Sequence, residues 1–274
     1  MKKALNIIIY IFAAIGFILV AGYIAIRLGL TNTSGIVDTQ HDYFKNAIQA
    51  GGAPIAAPTY AWAQTDEWNT LKAAVAKDSN EIRRAAAVAD VPPRLIVSAL
   101  VVEQLRLYQS DRELFKSVFA PLKILGDQSQ FSWGVMGIKQ DTAVQIEAHM
   151  TASSSPWYLG PSYEHLLAYT STTTDTDSAR FSRLTNSHSR YYSYLYAAIY
   201  MRQIEAQWSA AGTSIDDKPA VLATLFNIGF AHSKPNTDPK VGGAQITVGT
   251  STYSFGGLAD EFYQSNELTD IFPR

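Results

Sequence analysis

The sequence predicts a mainly α-helical protein, an α+β body with one small β-hairpin, preceded by an N-terminal transmembrane helix. Three observations predict it. From Ala4 to Ile26 the only clearly polar residue is Asn6. Beyond residue 60, segments of helical length open on capping acids, hydroxyls or prolines. Near the C-terminus, QITVGTSTYSF (residues 245–255) alternates around Gly249-Thr250, as a hairpin does. With 274 residues, 47% hydrophobic and 17% charged, the chain can bury a substantial core.

Residues 4–26 as a helix would span roughly 35 Å, enough for a hydrocarbon layer of about 30 Å. Lys2 and Lys3 outweigh Arg27, which keeps the N-terminus cytoplasmic. The segment is longer than a secretory apolar region, so it reads as an uncleaved signal anchor, with everything after Leu30 outside the cytoplasm. Three parts follow: residues 1–30 as cytoplasmic end and anchor, 31–60 as a linker with a short helical piece near 42–50, and 61–274 as the folded domain.

Within that domain, residues 65–77 read as a helix with acids in its first turn. Residues 78–88 read as a second, with Asp78 and Glu81 spaced as a capping box. Pro92 and Pro93 suit the start of a third, carrying LIVSALVVEQLR (residues 95–106). Further helices are expected at 111–122, 139–150 and, short, at 162–169. TSTTTDTDS (residues 170–178) is a loop or a helix start. A long helix is expected over 187–209, and another from 216 or 218 to 226, ending at 227–229. Residues 255–268 can form a short helix over the hairpin.

Composition excludes several classes. There is no cysteine, hence no disulfide, thiolate metal site or cysteine nucleophile. The formal net charge of -2 gives no basic excess for nucleic acid. The histidines are scattered without ligand spacing, so no metal is expected. No serine-hydrolase elbow, P-loop or dinucleotide fingerprint appears, and no cofactor is implied.

Glu103 is the residue that stands out. It ends an apolar run, and on a helix it shares a face with Ile96, Ala99 and Leu100. A carboxylate there is partly desolvated, which favours its protonated form. An acid protonated near neutral pH is what glycosidic bond cleavage requires. The plainer alternative is that Glu103 marks where the helix reaches water, since Gln104 and Arg106 follow.

Two later segments bear on this choice: SWGVMGIKQDTA (residues 132–143) and ATLFNIG (residues 223–229). With them the chain resembles the lysozyme-like superfamily, specifically the soluble lytic transglycosylases and their goose-type lysozyme relatives. That family pattern has a proline-bearing helix start, an apolar helix ending in Glu-Ser, then Gly-Leu-Met-Gln-Ile-x-Pro-x-Thr-Ala, and later Ala-Tyr-Asn-x-Gly. Glu103 falls in the place of the catalytic acid. Gly134, Val135, Met136 and Ile138, then Thr142 and Ala143, match the second motif. Leu225, Phe226, Asn227 and Gly229 match the third, and Tyr200 lies on the long helix before it. The motif core covers about residues 80–230.

The resemblance implies cleavage of the β-1,4 bond between N-acetylmuramic acid and N-acetylglucosamine in peptidoglycan. Glu103 would protonate the leaving oxygen, then act as base on the sugar's own 6-hydroxyl, giving a 1,6-anhydro product. It implies a substrate groove bordered by Ser132, Gly134, Met136, Gly137, Tyr200 and Asn227. Asn227 could bond an N-acetyl group, brace the loop beside Glu103 or cap its helix. Tyr200 could bond Glu103 or pack in the core. The partners implied are glycan strands and, through residues 4–26, a membrane. The sequence departs from the family at Gln104 (serine), Gly137 (glutamine), Gln140 (proline) and Phe226 (tyrosine). A hydrolase on the same fold, or a silent wall-binding scaffold, are the alternatives.

Overall fold

Local sequence signals start most of the helices in the computed structural model, which describes residues 60–109, 132–186 and 188–274. The anticipated membrane helix, nearly all of the linker and the helix at 111–122 lie outside these residues. Among the described residues the protein is mainly helical, and no helix is long and apolar enough to cross a membrane.

A 3₁₀ turn (Ala61–Gln64) leads into α1 (Asp66–Lys77), whose N-cap Thr65 accepts a hydrogen bond from the Trp68 backbone at 3.2 Å. Then α2 (Ser79–Ala89) ends on Asp90 in the left-handed conformation. After Pro92 the chain enters α3 (Pro93–Gln109), whose residues 94–103 are buried all round, so it is central. It packs against α1 and α2 and against four elements later in the chain. Ser98, the one hydroxyl in its apolar run, donates to the Arg94 carbonyl at 2.8 Å and so needs no outside partner.

The capping box expected at Asp78 and Glu81 is not formed. Asp78 makes no cap bond. It accepts instead from Arg190 Nη1 at 2.8 and 2.9 Å and from the Tyr194 hydroxyl at 2.6 Å. Glu81 accepts from the Ser189 hydroxyl and the Arg190 backbone N–H, both at 2.8 Å. Both acids therefore serve the start of a different helix, Tyr191–Ala210, where their negative charge meets its positive end.

Two two-residue strands, β1 (Ser132–Trp133) and β2 (Ile138–Lys139), pair antiparallel around a tight turn. Next comes α4 (Gln140–Thr151), with Asp141 in its first turn. Residues 161–167 form successive turns rather than the expected short helix. Their bonds are of the three-residue kind, and Arg183 donates to the carbonyls of Leu167 and Ala168 at the end of the stretch. Asp175 then caps α5 (Thr176–Thr185). The long helix α6 (Tyr191–Ala210) is nearly all buried and packs on α2. Beyond it lies α7 (Pro219–Ile228), which ends at Gly229 with φ +95°.

The C-terminal hairpin forms as expected. β3 (Gln245–Val248) pairs with β4 (Ser251–Ser254), with Gly249 and Thr250 as the two-residue turn. Ser254 caps α8 (Phe255–Gln264), which is buried against α3 and α7.

Arg94 locks this last part down. It is 0% exposed and its five N–H donors all meet backbone carbonyls, those of Phe262, Tyr263, Ser265, Glu267 and Phe272, at 2.7 to 3.0 Å. Burial pushes its pKa down to about 10, which leaves it charged at neutral pH. Trp62 and Trp68, edge to face at 5.0 Å, extend the same join by donating to Glu261 and Glu267 at 3.1 Å each.

Candidate functional site

Glu103 lies in the last third of α3, and the apolar positions before it drive that stretch into the core. It is 3% exposed, so the helix does not simply reach water there. Arg106, one turn on, donates from Nη2 to Glu103 Oε2 at 2.6 Å. Two opposed effects act on the carboxylate: burial disfavours its charge, and the guanidinium favours it.

The turn between β1 and β2 closes on this acid. Gly134 and Gly137 have φ of +66° and +63°, and Gly137 donates its N–H to the Gly134 carbonyl at 3.3 Å. A Cβ placed on Gly137 would stand 2.6 Å from Glu103 Oε2 and 2.8 Å from its Cδ. The backbone here therefore touches the carboxylate, and only glycine leaves the room. Gly134 is also confined: a Cβ on it would strike the Leu184 carbonyl and lie 2.8 Å from the Ser193 hydroxyl. Gln104 donates to the Val135 carbonyl at 2.6 Å, tying α3 to the same turn.

The remaining anticipated residues are placed as follows. Met136 is 0% exposed and belongs to the core. Ser132 pairs through its backbone with Lys139. Tyr200 is buried between Phe226 and Phe230, at ring distances of 5.3 and 4.5 Å. Its hydroxyl is buried without a hydrogen-bond partner, so it does not bond Glu103. Burial pushes its pKa upward. Asn227, in the last turn of α7, accepts the Ala244 N–H at 2.8 Å, and that bond holds the chain entering β3. Glu103 and Gly137 are thus brought together directly, Tyr200 joins Phe226, and Asn227 braces a third place.

Two clusters lie outside the sequence reading. Glu147 on α4 accepts from the hydroxyls of Tyr169 (2.7 Å) and Tyr196, and from Arg180 Nε and Nη2 at 2.8 and 2.7 Å. This network binds α4 to α5 and α6; burial and the bond to Glu147 push the Tyr196 pKa upward. The signal was weak, because its partners lie 22 to 49 residues away. The second cluster is His149, set against Trp157 and Phe230 at 4.5 and 4.9 Å, with Nδ1 2.9 Å from the Ser155 hydroxyl.

Burial lowers the His149 pKa from its ordinary 6.5. Because the folded value lies below the unfolded one, the associated stability is full above about pH 6.5 and is lost as pH falls through the folded value. The expected result is a thermal midpoint that drops more between pH 7 and 5 in the native chain than in a His149→Gln variant. Equal drops would show that His149 is not the group responsible.

Among the described residues no cluster of His, Asp and Glu is arranged to hold a metal. No protein-family model, curated protein or solved structure matches the chain.

Proposed function

We propose that this protein is a membrane-anchored lytic transglycosylase with a lysozyme-like fold, cleaving the β-1,4 bond between N-acetylmuramic acid and N-acetylglucosamine. The observation that carries the reading is the contact between Gly137 and the Glu103 carboxylate. Two segments far apart in the chain, each matching part of one family pattern, meet at the one residue the pattern makes catalytic. Glu103 is the general acid and then the base, and the 6-hydroxyl of the muramic sugar is the nucleophile, so no second carboxylate is required. Residues 4–26 would hold the domain on the outer face of the membrane, and glycan strands are the partner.

Incubation of the full-length chain with purified peptidoglycan tests this. The expected products are 1,6-anhydro-muropeptides by mass spectrometry, with a Glu103→Gln variant slower by at least about 10²-fold. Lack of anhydro products, or a Glu103→Gln variant equal to the native chain, would sink the assignment. Products heavier by one water would instead mark a lysozyme-type hydrolase.

A second reading is favoured by the Arg106 contact and the 3% exposure of Glu103: a module that binds peptidoglycan without cutting it. Retention on peptidoglycan with no released fragment would support that reading.

A further inference from the structure

Arg106 makes incomplete use of its guanidinium. Its Nη2 donates to Glu103, while its Nε–H is buried with no hydrogen-bond partner. A buried donor left unmatched is unfavourable. The side chain is 26% exposed, against 4% for that of Glu103, so Arg106 is the member of the pair that reaches solvent. A guanidinium with one donor unmatched, on a side chain that is partly exposed, fits a carboxylate, which can take two parallel N–H bonds once Nη2 is released from Glu103.

We propose that Arg106 binds a carboxylate carried by an acidic glycan substrate and leaves Glu103 to do so. The inference rests on the glycan-cleaving reading given above. In the free protein the guanidinium pairs with Glu103 and favours its charged form. When an acidic saccharide enters, Arg106 turns to the ligand's carboxylate and its Nε–H gains an acceptor. One cation is thereby removed from beside a buried carboxylate, and the balance moves toward the protonated acid. Glu103 takes that proton from bulk water. No bond of the substrate changes in this step; it prepares the acid that the cleavage needs. The acid is thus armed by its own substrate, and a neutral saccharide would leave its pairing with Arg106 in place.

Calorimetric titration of the full-length chain at low temperature tests this with three tetrasaccharides of alternating N-acetylglucosamine and N-acetylmuramic acid. The first has free lactyl carboxylates. In the second the lactyl groups are blocked as neutral amides. In the third they carry a short acidic peptide. The native chain is expected to bind the first or the third at least about tenfold more tightly than the second, and which one it prefers identifies the source of the carboxylate. In Arg106→Met that preference disappears. Arg106→Lys, which keeps the charge but loses the fork, retains part of the preference. A preference that survives in Arg106→Met, or is absent from the native chain, overturns the proposal. If the native chain binds none of the three, the glycan reading falls with it. If it releases anhydro-muropeptides while Arg106→Met keeps the acidic preference, only the role of Arg106 falls.

Discussion

Replacing Arg94 with methionine is expected to lower the free energy of unfolding by about 3–5 kcal/mol, the range for breaking a buried charged network. The physical reason is the five carbonyls it serves. They lie in the last turn of α8 and the segment beyond, where the helical ladder runs out; Ser265 and Arg274 also serve those of Phe262, Tyr263 and Ser265, and Arg94 alone joins all five. Methionine fills much of the volume and removes every donor. The charge also sits at the negative end of α8, where a cation is favoured. Lysine does not rescue the site, because three mobile donors cannot reproduce a five-donor plane. Urea unfolding of the native, Arg94→Met and Arg94→Lys chains checks this. A change below about 1 kcal/mol for methionine would show that the carbonyls find water instead.

The second large effect is expected at Gly137, and it runs against the family pattern. Installing the family's glutamine by Gly137→Gln should damage the site rather than complete it. The backbone there has φ +63°, which costs a non-glycine residue roughly 1–2 kcal/mol. The new Cβ would also press on the Glu103 carboxylate. Either the turn moves away from α3 or the acid leaves Arg106. The expected outcome is a destabilised protein with any glycan cleavage reduced at least about tenfold. Gly137→Ala separates the causes, since it adds the Cβ alone. If Gly137→Gln cleaves faster than the native chain, the turn is more yielding than its contacts imply.

What could be read from the sequence was local. Thr65, Pro93 and Ser254 start their helices because a cap or a fixed φ acts within four residues. Gly249-Thr250 makes its hairpin for the same reason. The mainly helical class follows from these. Where partners are distant, local reasoning lost. Asp78 and Glu81 have capping-box spacing, but Arg190, Ser189 and Tyr194 compete for them and win. Arg94 looks like a charge at a helix start until the residues it clasps are in view. At the candidate site, the burial of Glu103 was legible from the apolar run before it. Its ion pair with Arg106 was not, although the three-residue spacing permits one. Gly137 could be read as a missing side chain, whereas its role in space is a backbone pressed on an acid.

The clasp on Arg94 has a consequence for biosynthesis. Arg94 and the Phe272 carbonyl it holds are 178 positions apart. Helix α3, the centre of the packing, therefore emerges from the ribosome long before the residues that enclose its charged end. Until residues 262–272 have been made, a guanidinium and a largely apolar helix wait without their cover. The domain can reach its native state only after synthesis has passed Phe272, and the growing chain must be kept from aggregating until then.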